Sequence, residues 1–257
     1  MKHSSNQAGA GFTRLELVVV LVIVVLLGAM AVPAVRHARE KADIITCNGN
    51  NKELGIAYRL WAQDHHGLLP FQASIMDGGW SELLRNSRAG QYCWTNSAIM
   101  RDEFGGWPGQ TVCPADERKP AKNFIVKGST NDTGNAAFKD NTTVSYFVGV
   151  TSSDSYPQSI LGGDRNLGPG LVPDHNYGWS PANGQGNDLL LFTNSPVCWS
   201  SKMHAKGNLI GRGNILLGDG SVQQASSRDL NAIWLPNAQT GTNFSGTNQA
   251  GIRVVFP

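Results

Sequence analysis

The sequence predicts an α+β fold in which a long N-terminal helix packs on an antiparallel β-sheet head with long loops, the helix being fit to cross a membrane in its first half and amphipathic in its second. Three observations carry this. Residues 17–35 form an apolar run without a charge. Beyond it, Leu54, Ala57, Tyr58 and Trp61 recur at i, i+3, i+4 and i+7, the spacing of one helix face turned to a core. Most of the 30 glycines and 12 prolines fall in the last two thirds of the chain, which suits short strands joined by many turns.

The apolar run, about 19 residues at roughly 1.5 Å each, nearly crosses a hydrocarbon core. Lys2 and Arg14 precede it with no acid before Glu16, so the leader is expected on the cytoplasmic side and the bulk of the chain beyond the membrane. Arg36, Arg39 and Lys41 pull the other way. Glu16 stands at the start of the run, where a carboxylate near hydrocarbon costs on the order of 2.5 to 3.5 kcal/mol at the bilayer centre and less toward the interface. Such a group needs a partner.

After Pro33 the helical spacing continues, giving a helix over residues 13–65. Gly49 and Gly55 each weaken it by about 1 kcal/mol relative to alanine, which makes residues 48–51 the place where it would break. Strands are expected at 144–150, 189–193, 197–200 and 252–256. A hairpin joins 215–217 to 222–224, with Gly218, Asp219 and Gly220 in its turn. Ser226 with Asp229 three residues later suits a helix start, and Pro236 an end.

Composition bounds the function. The chain of 257 residues has 21 Lys and Arg against 19 acidic residues, so its near-neutral charge gives no reason to expect nucleic acid as a partner. Cys47, Cys93, Cys113 and Cys198 contain no CxxC pair, which argues against a zinc ribbon or a thioredoxin-type site. Outside the cytoplasm they could form disulfides in any of three pairings.

Residues 9–27 read GAGFTRLELVVVLVIVVLL and resemble the class III signal of type IV prepilins and type II secretion pseudopilins: glycine, phenylalanine, threonine, two further residues, glutamate, then an apolar helix. The resemblance implies a pilin-like fold and cleavage after Gly11 by a prepilin peptidase. It further implies N-methylation of Phe12 and a match between Glu16 and the terminal amine of a neighbouring subunit. Pairing a carboxylate with an ammonium near hydrocarbon relieves both only when two subunits meet. The implied organisation is a cleaved leader (1–11), an assembly helix in the membrane (12–35), its amphipathic continuation (36–66) and a periplasmic β-rich head (67–257). The implied setting is the inner membrane, crossed once. The implied partners are the peptidase, other pilin or pseudopilin subunits and an inner-membrane assembly platform.

Further segments resemble a group of large bacterial pilin-like proteins: CNGNNKELGIAYRLWAQDHHGLLP at 47–70, VCPAD at 112–116, SYFVGV at 145–150 and GNILLGDGSVQQ at 213–224. In that group a histidine and an Asp-Gly pair form a C-terminal signature, matched here by His204, Asp219 and Gly220 at a longer spacing. The rival reading is a secreted soluble protein that binds carbohydrate or calcium, released by an ordinary signal peptidase at the AxA site Ala29, Met30, Ala31.

Chemistry is sparse. His65, His66, His175 and His204 could join Asp64, Asp174 or Asp219 on a metal, but no two histidines show HxH or HxxxH spacing, so no metal ligand is assigned. The loops 131–135 and 162–166 offer oxygens for a structural calcium, without the spaced carboxylates of an EF-hand. No GxSxG elbow, phosphate loop or dinucleotide glycine pattern occurs, and no enzyme activity is expected. Trp80, Trp94, Trp107, Trp179 and Trp199 could line a sugar-binding surface, though tryptophans more often fill cores.

Overall fold

The computed structural model describes residues 13–85, 89–125, 138–173, 175–192, 195–205, 211–238 and 251–257. It is α+β, with one long apolar N-terminal helix and an antiparallel sheet. The chain divides into two compact units, the first ending at Ala42 and the second running from Asp43 to Pro257.

Helix α1 (Arg14–Asp64) is continuous over 51 residues, with Pro33 inside it and no break at residues 48–51. Thr13 caps it through a reciprocal capping box. Its Oγ1 accepts from Glu16 N–H (3.3 Å) and its own N–H donates to Glu16 Oε2 (2.8 Å), which satisfies donors that a helix start leaves open. In the first unit every described side chain up to residue 39 is exposed, Leu17, Val20, Ile23 and Leu27 among them. This stretch is long and apolar enough to cross a membrane.

In the second unit, α1 turns Cys47, Asn51, Leu54, Gly55, Ala57, Tyr58, Trp61 and Ala62 inward, the face expected from the spacing. Gly55 allows close approach, because a Cβ there would lie 3.0 Å from Leu216 Cδ1 and 3.4 Å from Gly220 Cα. The strands are β1 (Tyr146–Gly149), β2 (Ile160–Asp164), β3 (Leu167–Pro169), β4 (Asn187–Phe192), β5 (Val197–Trp199), β6 (Arg212–Leu217), β7 (Val222–Ser226) and β8 (Gly251–Phe256). Six form an antiparallel sheet in the order β4-β8-β1-β2-β6-β7, while β3 pairs with β5. Side chains alternate between two cores, as period-2 geometry requires. Tyr146, Val148, Leu216 and Val255 face the core shared with α1. Phe147, Ile215, Leu217, Val254 and Phe256 face a second core closed by Leu167, Val197, Trp199, Leu230 and Leu235.

Two expectations are corrected. Residues 162–166 are no open calcium loop: Gly162 to Asp164 end β2, and Asp164, Arg165 and Asn166 are fully buried. The glycines there serve close packing, since a Cβ on Gly163 would lie 2.6 Å from Asn214 O and 2.8 Å from the Phe147 ring. Pro236 does not end the C-terminal helix. Ser226 caps α3 (Ser227–Asp229) with the expected capping box, a π-helical turn (Leu230–Trp234) follows, and α4 (Leu235–Asn237) carries the helical run one residue past Pro236.

Candidate functional site

Two places carry chemistry. The first is the start of α1. Glu16 takes Thr13 N–H and Thr13 Oγ1–H (2.9 Å) on one carboxylate oxygen and is otherwise exposed. Gly11, Phe12, the loop 131–135 and Asp174 lie outside the described residues.

The second is a buried polar cluster beneath α1, built by four segments distant in sequence. α1 supplies Cys47 and Asn51. The segment after the 3-10 turn Pro108–Thr111 supplies Cys113, the end of β2 supplies Asp164, and the 3-10 turn Met203–Ala205 supplies His204. The three donor atoms of Cys47, Cys113 and His204 lie within 4.8 Å of one another, and all three residues are buried. Cys113 Sγ lies 3.5 Å from His204 Nε2, and His204 Nε2 lies 3.3 Å from Asp164 Oδ2. Cys47 Sγ–H donates to Asp164 Oδ1 (3.1 Å). The rest of the setting is polar. Asn214 N–H donates to Asp164 Oδ2 (2.7 Å), the Asn214 amide donates to Cys47 Sγ (3.5 Å), and Tyr146 Oη lies 3.6 Å from the same sulfur.

The register of the sheet makes this possible. Tyr146 on β1 pairs with Asp164 on β2, and Gly163 pairs with Ile215 on β6, so Tyr146, Asp164 and Asn214 come to neighbouring strands under Cys47. Met203, immediately before His204, is buried with φ 60°. A left-handed backbone costs a non-glycine residue roughly 1–2 kcal/mol, and strain of this kind collects at sites that position a group.

Charge is concentrated. Burial alone would pull the His204 pKa down, but the Asp164 charge and hydrogen bond, with Cys113 beside it, raise it to about 10. Burial pushes the Cys47 thiol well up, helped by Cys113 and the Asp164 charge. On Cys113 burial acts upward too, yet the Cys47 and His204 hydrogen bonds outweigh it and its pKa falls. A cleft of about 560 Å³ lined by Thr46, Asn50, Trp107, Val112 and Cys113 reaches this cluster from the surface.

The signature residues separate. His204 belongs to the buried cluster, while Asp219 and Gly220 form the β6–β7 turn, where Asp219 Oδ1 accepts from Ser221 N–H (2.8 Å) and the Asp219 carbonyl accepts from Arg59. Among the other histidines considered, His65 stacks on Trp61 at 3.6 Å and His175 meets Ser201. All four cysteines are free thiols. Trp80 and Trp199 are buried in the cores and Trp107 is exposed, so no row of exposed tryptophans forms among the described residues. Sequence reasoning met Cys47 and Cys113 among the four cysteines, Asp164 only within the loop 162–166 and His204 among the histidines, and did not join them, because spacing rules detect ligands that share one element.

Comparison with protein-family models, with curated proteins and with solved structures found no match.

Proposed function

We propose that this chain is a structural subunit of a type IV pilus-like or type II secretion pseudopilus filament, matured by a prepilin peptidase after Gly11 and assembled through its N-terminal helix. The observation that carries the reading is the start of α1. A carboxylate, Glu16, stands at the head of a helix whose apolar side chains through residue 35 are all exposed. An apolar surface of this extent exceeds what a soluble monomer leaves to water. A bilayer covers it before assembly and neighbouring helices cover it after. Glu16 then meets the amine of Phe12 on the next subunit, and the match forms only on assembly. The reading has no catalytic step, and the head presents a surface to its filament neighbours.

The capping box gives Glu16 a local duty as well, and the test separates the two. Glu16→Gln keeps an acceptor for the Thr13 N–H but removes the charge, whereas Glu16→Ala removes both. Losing one member of a buried ion pair typically costs about 3 to 5 kcal/mol. Both variants are therefore expected to accumulate as inserted monomers that fail to cross-link into oligomers in membranes of cells carrying the assembly machinery. Cross-linking of Glu16→Gln at the wild-type level would show that Glu16 only caps the helix.

A further inference from the structure

We propose that Cys47, Cys113 and His204 form a zinc site inside the head, beside the buried carboxylate of Asp164. The distances fit the ion. With zinc–ligand bonds of about 2.0–2.3 Å, the edges of a tetrahedron of donors are about 3.3–3.8 Å long. The donor atoms of Cys47, Cys113 and His204 lie within 4.8 Å of one another, with Cys113 Sγ 3.5 Å from His204 Nε2, close enough to converge on one ion. Two sulfurs and one imidazole nitrogen suit zinc. Calcium requires six to eight oxygens, which this pocket does not offer.

Amide donors also approach the Cys47 sulfur. The amides of Asn214 and Asn51 both direct N–H toward Cys47 Sγ, at 3.5 and 3.8 Å. Their carbonyl oxygens have no hydrogen-bond partner among the described residues. Donors aimed at a sulfur stabilise its anionic form, the usual second layer of a zinc–thiolate site. Asn214 N–H also fixes the Asp164 carboxylate, and the left-handed Met203 aims His204. Cys113 borders the cleft of Thr46, Asn50 and Val112.

Loading breaks two S–H bonds and forms two Zn–S bonds. The thiol protons leave to solvent, together with any proton on His204 Nε2, and no electron is transferred. The ion then ties α1 to the two segments that carry Cys113 and His204, a constraint that folding alone lacks. This assignment stands independently of the filament reading.

The test uses the full-length chain in detergent with a non-chelating phosphine reductant. Equimolar zinc is expected by elemental mass spectrometry. Cobalt(II) in its place should give thiolate-to-cobalt charge transfer in the near ultraviolet and the intense visible bands of a tetrahedral ion. Asn214→Ala should weaken cobalt binding by about tenfold to a hundredfold. Cys47→Ser and Cys113→Ser should abolish the charge-transfer band, while Cys93→Ser and Cys198→Ser leave it unchanged. If the ligand variants do not fold, titration of the unaltered chain decides the matter. Absence of cobalt bands from the reduced wild-type chain would overturn the proposal. So would unchanged cobalt binding in Cys47→Ser, or peptide mapping of the native protein that finds Cys47 and Cys113 joined as a disulfide.

Discussion

Asp116 shows how a single side chain holds the head together. Its two oxygens accept from Arg165 Nε (2.7 Å) and Nη2 (2.8 Å), both side chains are fully buried, and the Arg165 guanidinium lies 3.5 Å from the Tyr177 ring centroid. Burial pushes the Asp116 pKa up, but the Arg165 hydrogen bonds and charge, the Ser145 hydroxyl and Arg118 more than cancel this and leave it lowered. The sign follows. A carboxyl held below its unfolded value of about 3.9 contributes stability above that pH and loses it as the pH falls through the folded value. Asp116→Asn leaves the buried Arg165 guanidinium facing only the half-exposed Glu117 carboxylate at 3.6 Å and is expected to cost about 3 kcal/mol at neutral pH, the low end for a broken buried pair. The variant should also lose less stability than wild type as the pH falls below about 4. Urea denaturation across that range checks both. A variant as stable as wild type at neutral pH would show that the pair contributes nothing net.

At the scale of elements, β2 is where the sequence was hardest to read. Gly162 and Gly163 look like loop residues, yet they let β2 lie close against β1 and β6. Gly163→Ala should therefore overpack the sheet and cost about 1 to 3 kcal/mol, seen as a lower denaturant midpoint with an unchanged slope; an unchanged midpoint would mean the neighbouring strands yield freely. The helix face at Leu54, Ala57, Tyr58 and Trp61, the β6–β7 hairpin and the Ser226–Asp229 cap were legible because each signal is local, a period or a pair three residues apart. β3 and the second core were not, because β1 is buried on both faces and shows no polar alternation to follow. The buried cluster was illegible because its members lie far apart in sequence. Cys47 meets Asp164 across 117 residues and Cys113 meets His204 across 91, and only the strand order and register bring such positions together.

At the scale of the whole molecule, an apolar helical unit and a twin-cored β-rich unit make a division of labour. The first exposes its apolar side chains through residue 35, and the second is built on two cores of its own. The filament account requires that the apolar helix stay on the mature protein with a free amine at its start. A secreted binding protein requires that the helix be removed. The mass of the N-terminal peptide from protein isolated out of its native membranes separates these most directly. Cleavage after Gly11, with Phe12 first and carrying one added methyl group, is the result this account predicts. A mature chain beginning at Val32, after cleavage at Ala31, would contradict it.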